Sequence, residues 1–191
     1  MRRTRFVIFT VLLGFCGTAE VAGADDAVNA WKALRSGGHV ALMRHADAPG
    51  GFGDPPGFRI DDCATQRNLS EKGRADAEKI GSRLQREGIA FEKIQSSPWC
   101  RCIDTAKLLN LGTVETEATF GNVVVLRDQR EALTAGARAL IAKWNGPSNL
   151  LVVTHGANIA ALTTISPASG EIVVVRGGSG SVEPVGRLLL D

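Results

Sequence analysis

The chain has 191 residues, with 22 Lys and Arg against 20 Asp and Glu, and 44% of its residues are hydrophobic. This length and composition are typical of one folded domain with a hydrophobic core, and they exclude a disordered chain. Four cysteines are too few for a small scaffold that is held together mainly by disulfides.

The N-terminal segment, residues 1–24, has the pattern of a secretory signal peptide. Three arginines precede the apolar run 6–15, and small residues then lead to an A-x-A cleavage pattern that ends at Ala24. The apolar run is too short for a membrane-spanning helix. We therefore expect cleavage after Ala24, a mature domain of residues 25–191 without a membrane span, and a periplasmic or secreted location.

The excess of positive charge belongs to this N-terminal segment. Without residues 1–24, the basic and acidic side chains are equal in number. A neutral domain lacks the surplus of cations that neutralises the phosphates of a nucleic acid. Nucleic acid is therefore not an expected partner.

The mature part of the chain alternates helical and strand patterns. Helices are predicted for 25–35, 70–87, the segment opened by Ser96-Ser97-Pro98, 132–144 and a short segment after His155, and strands for 39–44, 89–95, 113–118, 149–154, 171–176 and 182–190. Residues 120–128 fit neither pattern. This order predicts a three-layer α/β/α sandwich with a mostly parallel central sheet and an antiparallel C-terminal hairpin, whose open edge leaves the oligomeric state undecided.

Two of the predicted helices carry specific signals at their starts. Ser70 is expected to cap the helix 70–87, whose inward face we assign to Ala75, Ile80 and Leu84. Pro98 suits the first turn of the following helix, because its missing N–H has no partner there.

Cationic side chains are predicted to meet at one edge of the sheet. Arg44 and His45 lie at the end of the first strand, and His155 follows the apolar strand 149–154. Arg101 lies near the start of the helix that follows another strand. Because ligands of such sheets bind at the carboxyl ends of the strands, these groups predict a pocket for a dianion such as a phosphoryl group.

A metal or cofactor site is not expected. The sequence has no His-x-x-x-His pair, His-Glu-x-x-His run or Cys-x-x-Cys pair, and Arg44 beside His45 would repel a cation. The glycine-rich nucleotide loop G-x-x-x-x-G-K-[ST] and the serine-hydrolase elbow G-x-S-x-G are also missing from the sequence.

Three cysteines remain after cleavage, and export favours a disulfide. Cys100 and Cys102 are too close along a helix to bridge each other. We expect one bridge from Cys63 to either Cys100 or Cys102, with the remaining thiol buried. Three free buried thiols are the alternative.

Four segments resemble motifs of the phosphoglycerate-mutase-like branch (branch 1) of the histidine phosphatase superfamily. Segment 42–46 resembles the Arg-His-Gly signature, with Ala46 in place of the commoner Gly. Segment 68–77 is similar to its Leu-[Ser/Thr]-x-x-Gly-x-x-x-Ala helix, 96–106 to its Ser-Ser-Pro-x-x-Arg-x-x-x-Thr-Ala segment, and 152–156 to its second histidine motif. The segments follow the family's order along nearly the whole mature chain.

The resemblance implies that His45 attacks phosphorus and becomes a phosphohistidine, while Arg44, Arg101 and His155 hold the phosphoryl oxygens. Together with the signal-peptide pattern, it implies an exported, metal-independent phosphomonoesterase for a small phosphorylated substrate. Sugar phosphates of the bacterial envelope are the substrate class that fits export best. A phosphoryl-anion binding module of the same fold, without turnover, is the alternative.

The resemblance also implies an acid that protonates the leaving group, commonly placed after the third strand. Glu117 is one candidate, because 117–121 echoes the family's Glu-x-x-Phe-Gly, and Asp128 is another. Asp47 and Glu171 also lie near the motifs. If the acid is missing, aryl phosphates should react while alkyl phosphates are slow.

Overall fold

The computed structural model describes residues 19–51, 53–177 and 181–190, and the side chains only from residue 24 onward. Most of the predicted signal peptide, residues 1–18, lies outside the described residues. The helices are α1 (Ala19–Ser36), α2 (Glu71–Arg86), α3 (Cys100–Leu108), α4 (Arg130–Lys143) and α5 (Gly156–Thr163), and the strands are β1 (His39–Arg44), β2 (Phe91–Ser96), β3 (Val114–Thr116), β4 (Asn149–Thr154), β5 (Ile172–Arg176) and β6 (Glu183–Leu188). Short 3₁₀ turns occupy Cys63–Thr65, Ala118–Phe120 and Arg127–Gln129.

The strands form one six-stranded sheet in the order β3-β2-β4-β1-β5-β6. β1, β4, β2 and β3 are parallel, whereas β5 and β6 form the antiparallel hairpin and β5 pairs antiparallel with β1. The predicted fold class is confirmed. The carboxyl ends of β1, β4 and β2 therefore lie side by side at one edge of the sheet.

Hydrophobic clusters cover both faces of the sheet and make the three layers. α1, α2 and α3 pack on one face, and α4 and α5 on the other. Successive side chains of a strand point to opposite faces, and β1 shows this directly: Ala41 and Met43 belong to one cluster, Val40 and Leu42 to the other. β1 is thus fixed between two cores, which holds the residues at its carboxyl end in place.

α1 is longer than its predicted range, because it begins at Ala19, upstream of the predicted cleavage site. The part beyond that site packs closely on β6, since a Cβ added to Gly186 would lie 2.2 Å from the Asp26 carbonyl oxygen. In the described part of the chain, the helices are too short or too polar to cross a membrane.

The predicted inward face of α2 needs one correction. Ala75 is exposed and Ala77 is buried instead, together with Ile80 and Leu84. An α-helix turns about 100° per residue, so Ala75 lies about 140° around the axis from Ile80 and off the buried stripe. Pro98 also differs from its prediction, because it precedes the first turn of α3 rather than lying within it.

Close packing attaches the start of α2 to the chain just beyond β1. Ser70 caps the helix as predicted: its Oγ accepts from the Gly73 N–H at 2.9 Å, and its own N–H donates to the Asp47 carbonyl at 3.0 Å. A Cβ on Gly73 would lie 2.1 Å from that same carbonyl oxygen. The glycine of this motif therefore allows α2 to approach the segment that carries His45.

A disulfide joins Cys63 to Cys100 across 37 residues, and Cys102 is a free, buried thiol. This is one of the two bridges that the sequence left open. Near the bridge, the Gln66 side-chain oxygen accepts from the Cys100 N–H at 3.0 Å. The loop after β1 is therefore fastened to the start of α3, beside Arg101.

Candidate active site

The structure brings the predicted histidines together at the carboxyl edge of the sheet. The ring centroids of His45, after β1, and His155, after β4, are 5.5 Å apart in an edge-to-face arrangement. Both side chains belong to residues that are buried, with 3% and 4% of their surface exposed. His39, at the opposite end of β1, places its Nδ1 2.8 Å from the Gly37 carbonyl oxygen.

Backbone contacts fix both the position and the tautomer of His45. Its N–H donates to the Thr154 carbonyl at 2.9 Å, which continues the pairing of β1 with β4. Its Nδ1 lies 2.8 Å from the Ala46 carbonyl oxygen, which can only accept a hydrogen bond. Nδ1 therefore carries the proton, and Nε2 keeps the lone pair that a nucleophile needs.

The surroundings of His45 keep its imidazole neutral. Burial lowers its pKa from 6.5 to about 3, and the positive charges of Arg101, Arg44 and Arg67 act in the same direction against the opposing effect of the Ala46 hydrogen bond. An uncharged imidazole at neutral pH is the nucleophilic form.

His155 is held by contacts on both ring nitrogens. Its Nε2 lies 2.9 Å from the Ser97 hydroxyl, and its Nδ1 lies 3.5 Å from a terminal nitrogen of Arg101. The Trp99 ring packs edge-on against it with 5.4 Å between centroids. Burial lowers the pKa of His155 well below its usual value, and repulsion from a protonated His45 and from the nearby arginines acts in the same direction. Since a guanidinium only donates, Nδ1 accepts and Nε2–H donates to Ser97.

Arg101 lies beside His155, but its guanidinium is covered by the carboxylate of Asp54 and does not line the cavity that opens beside the histidines. Its Nη1 and Nη2 contact the two carboxylate oxygens of Asp54 at 2.6 and 3.3 Å, and neither side chain has any exposed surface. The Nε–H of Arg101 is buried without a hydrogen-bond partner among the described residues. A buried donor without a partner costs about 1–3 kcal/mol, and a phosphoryl oxygen is the kind of acceptor that would satisfy it.

Asp54 is a site residue that the sequence did not reveal. Besides Arg101, it accepts from the Trp99 indole N–H at 2.9 Å and from the Arg67 backbone N–H at 3.1 Å. Burial raises the pKa of Asp54, but these hydrogen bonds and the charge of Arg101 outweigh it and lower the pKa overall. The carboxylate is ionised, and it anchors the loop after β1 to α3.

A cavity of about 470 Å³ opens beside both histidines. Its wall is formed by Arg44, His45, Gly53, Arg67, Asn122, Val124, Arg130, His155, Gly156, Ala157, Ala160, Ser166 and Pro167. The described wall residues thus include three arginines and no carboxylate. A larger groove of about 820 Å³ runs along α2, but it combines basic residues with Glu78 and has no histidine, so we place the site at the smaller cavity.

Two of the three arginines of the wall are held by backbone carbonyls. Arg44 donates to the Pro167 carbonyl at 2.9 Å, and Arg67 donates to the carbonyls of Gly53 and Ala48 at 3.1 and 2.5 Å. Burial, and next the charge of Arg101, lowers the pKa of Arg67. Arg67 was not a predicted site residue, because its loop has no periodic pattern that would place it.

The start of α5 adds backbone donors to the cavity. Gly156 and Ala157 form its first turn, where N–H groups have no partner within the helix, and both residues line the cavity. A Cβ on Gly156 would lie 3.3 Å from the Arg44 side chain, so the glycine leaves room for that arginine. Helix starts of this kind favour bound anions.

None of the candidate acids lines the cavity. Glu117 accepts from the Thr119 N–H and hydroxyl, and these hydrogen bonds lower its pKa. Asp128 is exposed in a 3₁₀ turn. Asp47 accepts from Ser70, and Glu171 pairs with Arg187. Across the described ranges, no group of three or more His, Cys, Asp or Glu side chains is arranged to hold a metal ion.

Comparison with known families identifies the class of protein. The sequence profile of the histidine phosphatase superfamily (branch 1) matches residues 26–123. The chain belongs to this superfamily, as its motifs predicted. No curated protein sequence is significantly similar to the chain.

Solved structures share the fold. A protein histidine phosphatase, SixA, solved with tungstate, is 20% identical with a TM-score of 0.54 over 78% of this chain and 96% of that chain. A phosphoserine phosphatase from Entamoeba histolytica, solved with 3-phosphoglyceric acid, is 14% identical with a TM-score of 0.56 over 80% and 98%. A protein encoded by an open reading frame of Mycobacterium tuberculosis is 18% identical with a TM-score of 0.57 over 80% and 96%.

Proposed function

We propose that this chain is a metal-independent phosphomonoesterase that acts through a phosphohistidine on His45. The observation that carries the proposal is the state of His45: its Nδ1 proton is bound to the Ala46 carbonyl, and burial lowers its pKa to about 3. Its Nε2 is therefore an unprotonated nucleophile in a cavity walled by arginines.

The reaction then has two balanced steps. Nε2 of His45 attacks phosphorus, and the bond between phosphorus and the leaving-group oxygen breaks with its electron pair on that oxygen. Water next attacks the phosphohistidine, which releases phosphate and restores the imidazole. Arg44, Arg67 and the first N–H groups of α5, which line the cavity, stabilise the charge on the phosphoryl oxygens. Arg101 does not line the cavity in this arrangement, and the donor that it would offer is its buried Nε–H, which has no partner among the described residues.

The cavity wall favours good leaving groups. Because no described wall residue is a carboxylate, the departing oxygen has no nearby carboxylic acid to protonate it. Aryl phosphates, whose leaving groups are stable as anions, should react faster than alkyl phosphates. His155 is not the donor in this arrangement, since its Nε2–H is directed to Ser97.

We further propose that the enzyme is exported and acts on small phosphorylated compounds, with sugar phosphates of the bacterial envelope as the leading class. The signal-peptide pattern and the Cys63–Cys100 disulfide support export, because disulfides persist outside the cytosol. The related folds include a protein histidine phosphatase and a phosphoserine phosphatase, so they do not select one substrate.

The direct test is hydrolysis of p-nitrophenyl phosphate in the presence of EDTA. Wild type and the His39→Ala control should release p-nitrophenol, because His39 lies at the opposite end of β1. His45→Ala should lose the activity, and acid-labile, alkali-stable phosphate should be trapped on His45 in wild type. Equal activity of wild type and His45→Ala would refute the proposal.

A second candidate is a phosphoryl-anion binding module without turnover. The specific observation that favours it is that Asp54 already occupies the terminal nitrogens of Arg101. For such a module, phosphate or vanadate should raise the melting temperature while no phosphorylated compound is hydrolysed. Phosphohistidine on His45 would exclude it.

A further inference from the structure

The cavity is larger than the transfer of a phosphoryl group requires. Its volume of about 470 Å³ lies in the range of pockets that bind whole small molecules. The histidines and Arg44 come from the ends of β1 and β4, whereas Asn122, Val124 and Arg130 belong to the segment between β3 and α4. When the phosphoryl group lies at the histidines, the leaving group of the substrate is expected to contact the part of the wall that this segment forms.

Arg130 lies on this wall in a position that is unfavourable for the helix. It is the first residue of α4, where the partial positive charge of the helix start repels a cation. The preceding Gln129 provides no side-chain hydrogen bond to the helix start. A residue that is unfavourable for its local structure, such as a cation at a helix start, is expected where that residue serves a function.

The guanidinium of Arg130 also has no partner among the described residues. In this it differs from the exposed Arg74 and Arg83, which pair with carboxylates, and resembles the exposed Arg86 and Arg176, for which no ion pair is found among the described residues. The backbone N–H of Arg130 donates to the Arg127 carbonyl, but in the part of the chain that the structure describes its guanidinium has no ion pair or hydrogen bond. Its neighbours Asp128 and Glu131 are exposed and do not line the cavity.

We propose that Arg130 binds a second anionic group of the substrate, a carboxylate or a further phosphate, while the first phosphoryl group reacts at His45. This inference rests on the proposed function and narrows its substrate class to dianionic phosphoesters that carry another acidic group. Arg44, Arg67 and the start of α5 line the cavity together with the histidines and can hold the reacting phosphoryl group, whereas Arg130 comes from the separate segment between β3 and α4. A guanidinium binds both carboxylate and phosphate through paired donors.

The test compares substrates that differ only in the second charge. 3- and 4-Carboxyphenyl phosphate are measured against the corresponding carbamoylphenyl phosphates, which are neutral at that position. In wild type, kcat/KM for at least one carboxylate should exceed that of its amide about tenfold at low salt. Arg130→Gln should reduce this ratio to about one, and Arg130→Glu should invert it.

Arg127→Gln is the matched control, because Arg127 is an exposed arginine of the same segment and lies outside the cavity wall. It should keep the wild-type ratio. Equal kcat/KM for every carboxylate and its amide in wild type would overturn the inference, as would an unchanged ratio in Arg130→Gln.

A measurement of ligand binding, which does not depend on turnover, separates failure of this inference from failure of the proposed function. The increase in melting temperature is measured with methylphosphonate and with phosphonoacetate, which adds a carboxylate. If nothing is hydrolysed, a larger increase with phosphonoacetate that disappears in Arg130→Gln still supports the second anion site. Equal increases with both compounds in wild type and Arg130→Gln contradict it.

Discussion

The carboxylate of Asp54 holds the guanidinium of Arg101 through both terminal nitrogens, at 2.6 and 3.3 Å, with neither side chain exposed to solvent. Asp54 belongs to the loop after β1, and Arg101 to the first turn of α3. The pair therefore sets the plane of the guanidinium from a loop that is far away in sequence. Among the described residues, the Nε–H of Arg101 is then left without a hydrogen-bond partner.

Loss of the charge on Asp54 should destabilise the fold. Asp54→Asn leaves the Arg101 guanidinium buried and uncompensated, which typically costs about 3 kcal/mol. Urea unfolding followed by circular dichroism measures the change in the free energy of unfolding. Asp61→Asn is the control, because Asp61 is 81% exposed and lies 3.6 Å from an exposed Arg59. Asp61→Asn should change the free energy of unfolding by less than about 0.5 kcal/mol, since exposed pairs contribute little. Equal losses of stability in both variants would contradict a structural role for the buried Asp54–Arg101 pair.

Ser97 should position the imidazole of His155 so that it can contact the phosphoryl oxygens. Ser97→Ala removes the partner of His155 Nε2, so the ring loses its fixed orientation. We expect kcat for p-nitrophenyl phosphate to fall about tenfold.

Ser96→Ala is a close control for that experiment. Ser96 is buried as well, and its hydroxyl donates to the Ser97 carbonyl at 2.8 Å without touching the imidazole. Each variant should lose about 1 kcal/mol of stability, the usual contribution of one hydrogen bond. Only Ser97→Ala should lower kcat, and parallel losses of kcat in both would show that Ser97 acts through stability alone.

The sequence patterns predicted both bounds of β1 and β4 correctly. Each strand is a short apolar run that ends at a charged or polar residue directly before a histidine. His45 and His155 follow directly from those strand ends. Asp54, Arg67 and Arg130 could not be found in this way. They lie in loops or at a helix start. Long-range contacts place Asp54 and Arg67, such as the bond from Asp54 to a residue 47 positions away, and Arg130 reaches the cavity wall only through the course of the chain between β3 and α4.

The pairing of the cysteines shows the same limit. The sequence allows Cys63 to form a bridge with either Cys100 or Cys102, and no periodic pattern distinguishes the two pairings. The direction in which each faces from α3 decides the outcome: Cys102 points into the core beside His155, at 3.7 Å from Nε2. Burial raises the pKa of its thiol to about 12, so it stays protonated.

The disulfide should therefore be visible in a thiol count. In the oxidised mature protein, iodoacetamide should modify no cysteine while the protein is folded and only Cys102 after denaturation. Mass spectrometry of peptides should show Cys63 linked to Cys100. Three modified cysteines in the denatured, unreduced protein would contradict the bridge.

Removal of the bridge should also lower stability without exposing the core. Closure of a loop of this length in the unfolded chain corresponds to about 4 kcal/mol, and measured effects are commonly 2–4 kcal/mol. Cys63→Ala should lower the midpoint of urea unfolding accordingly. Addition of a reductant should lower the midpoint of wild type but leave that of Cys63→Ala unchanged.

The buried histidines should make the fold less stable in mild acid. His45 has a pKa of about 3 in the folded chain against 6.5 for the ordinary imidazole, so the unfolded state binds its proton first. The free energy of unfolding contains the full contribution above about pH 6.5 and loses it as the pH falls toward 3. One such group contributes at most about 1.4 kcal/mol per pH unit.

The measurement is urea unfolding at several values between about pH 6.5 and 5, above the range in which ordinary carboxylates titrate. His45→Gln removes the titrating ring, so its free energy of unfolding should fall less steeply with decreasing pH than that of wild type. His155→Gln should act in the same direction, because burial lowers the pKa of His155 as well. The variants are compared by the slope of the free energy of unfolding against pH and not by its absolute value, because either substitution also alters packing. Identical slopes in wild type and both variants would mean that the two imidazoles accept protons in the folded chain as readily as in the unfolded one, and His45 would then not be held as a neutral nucleophile.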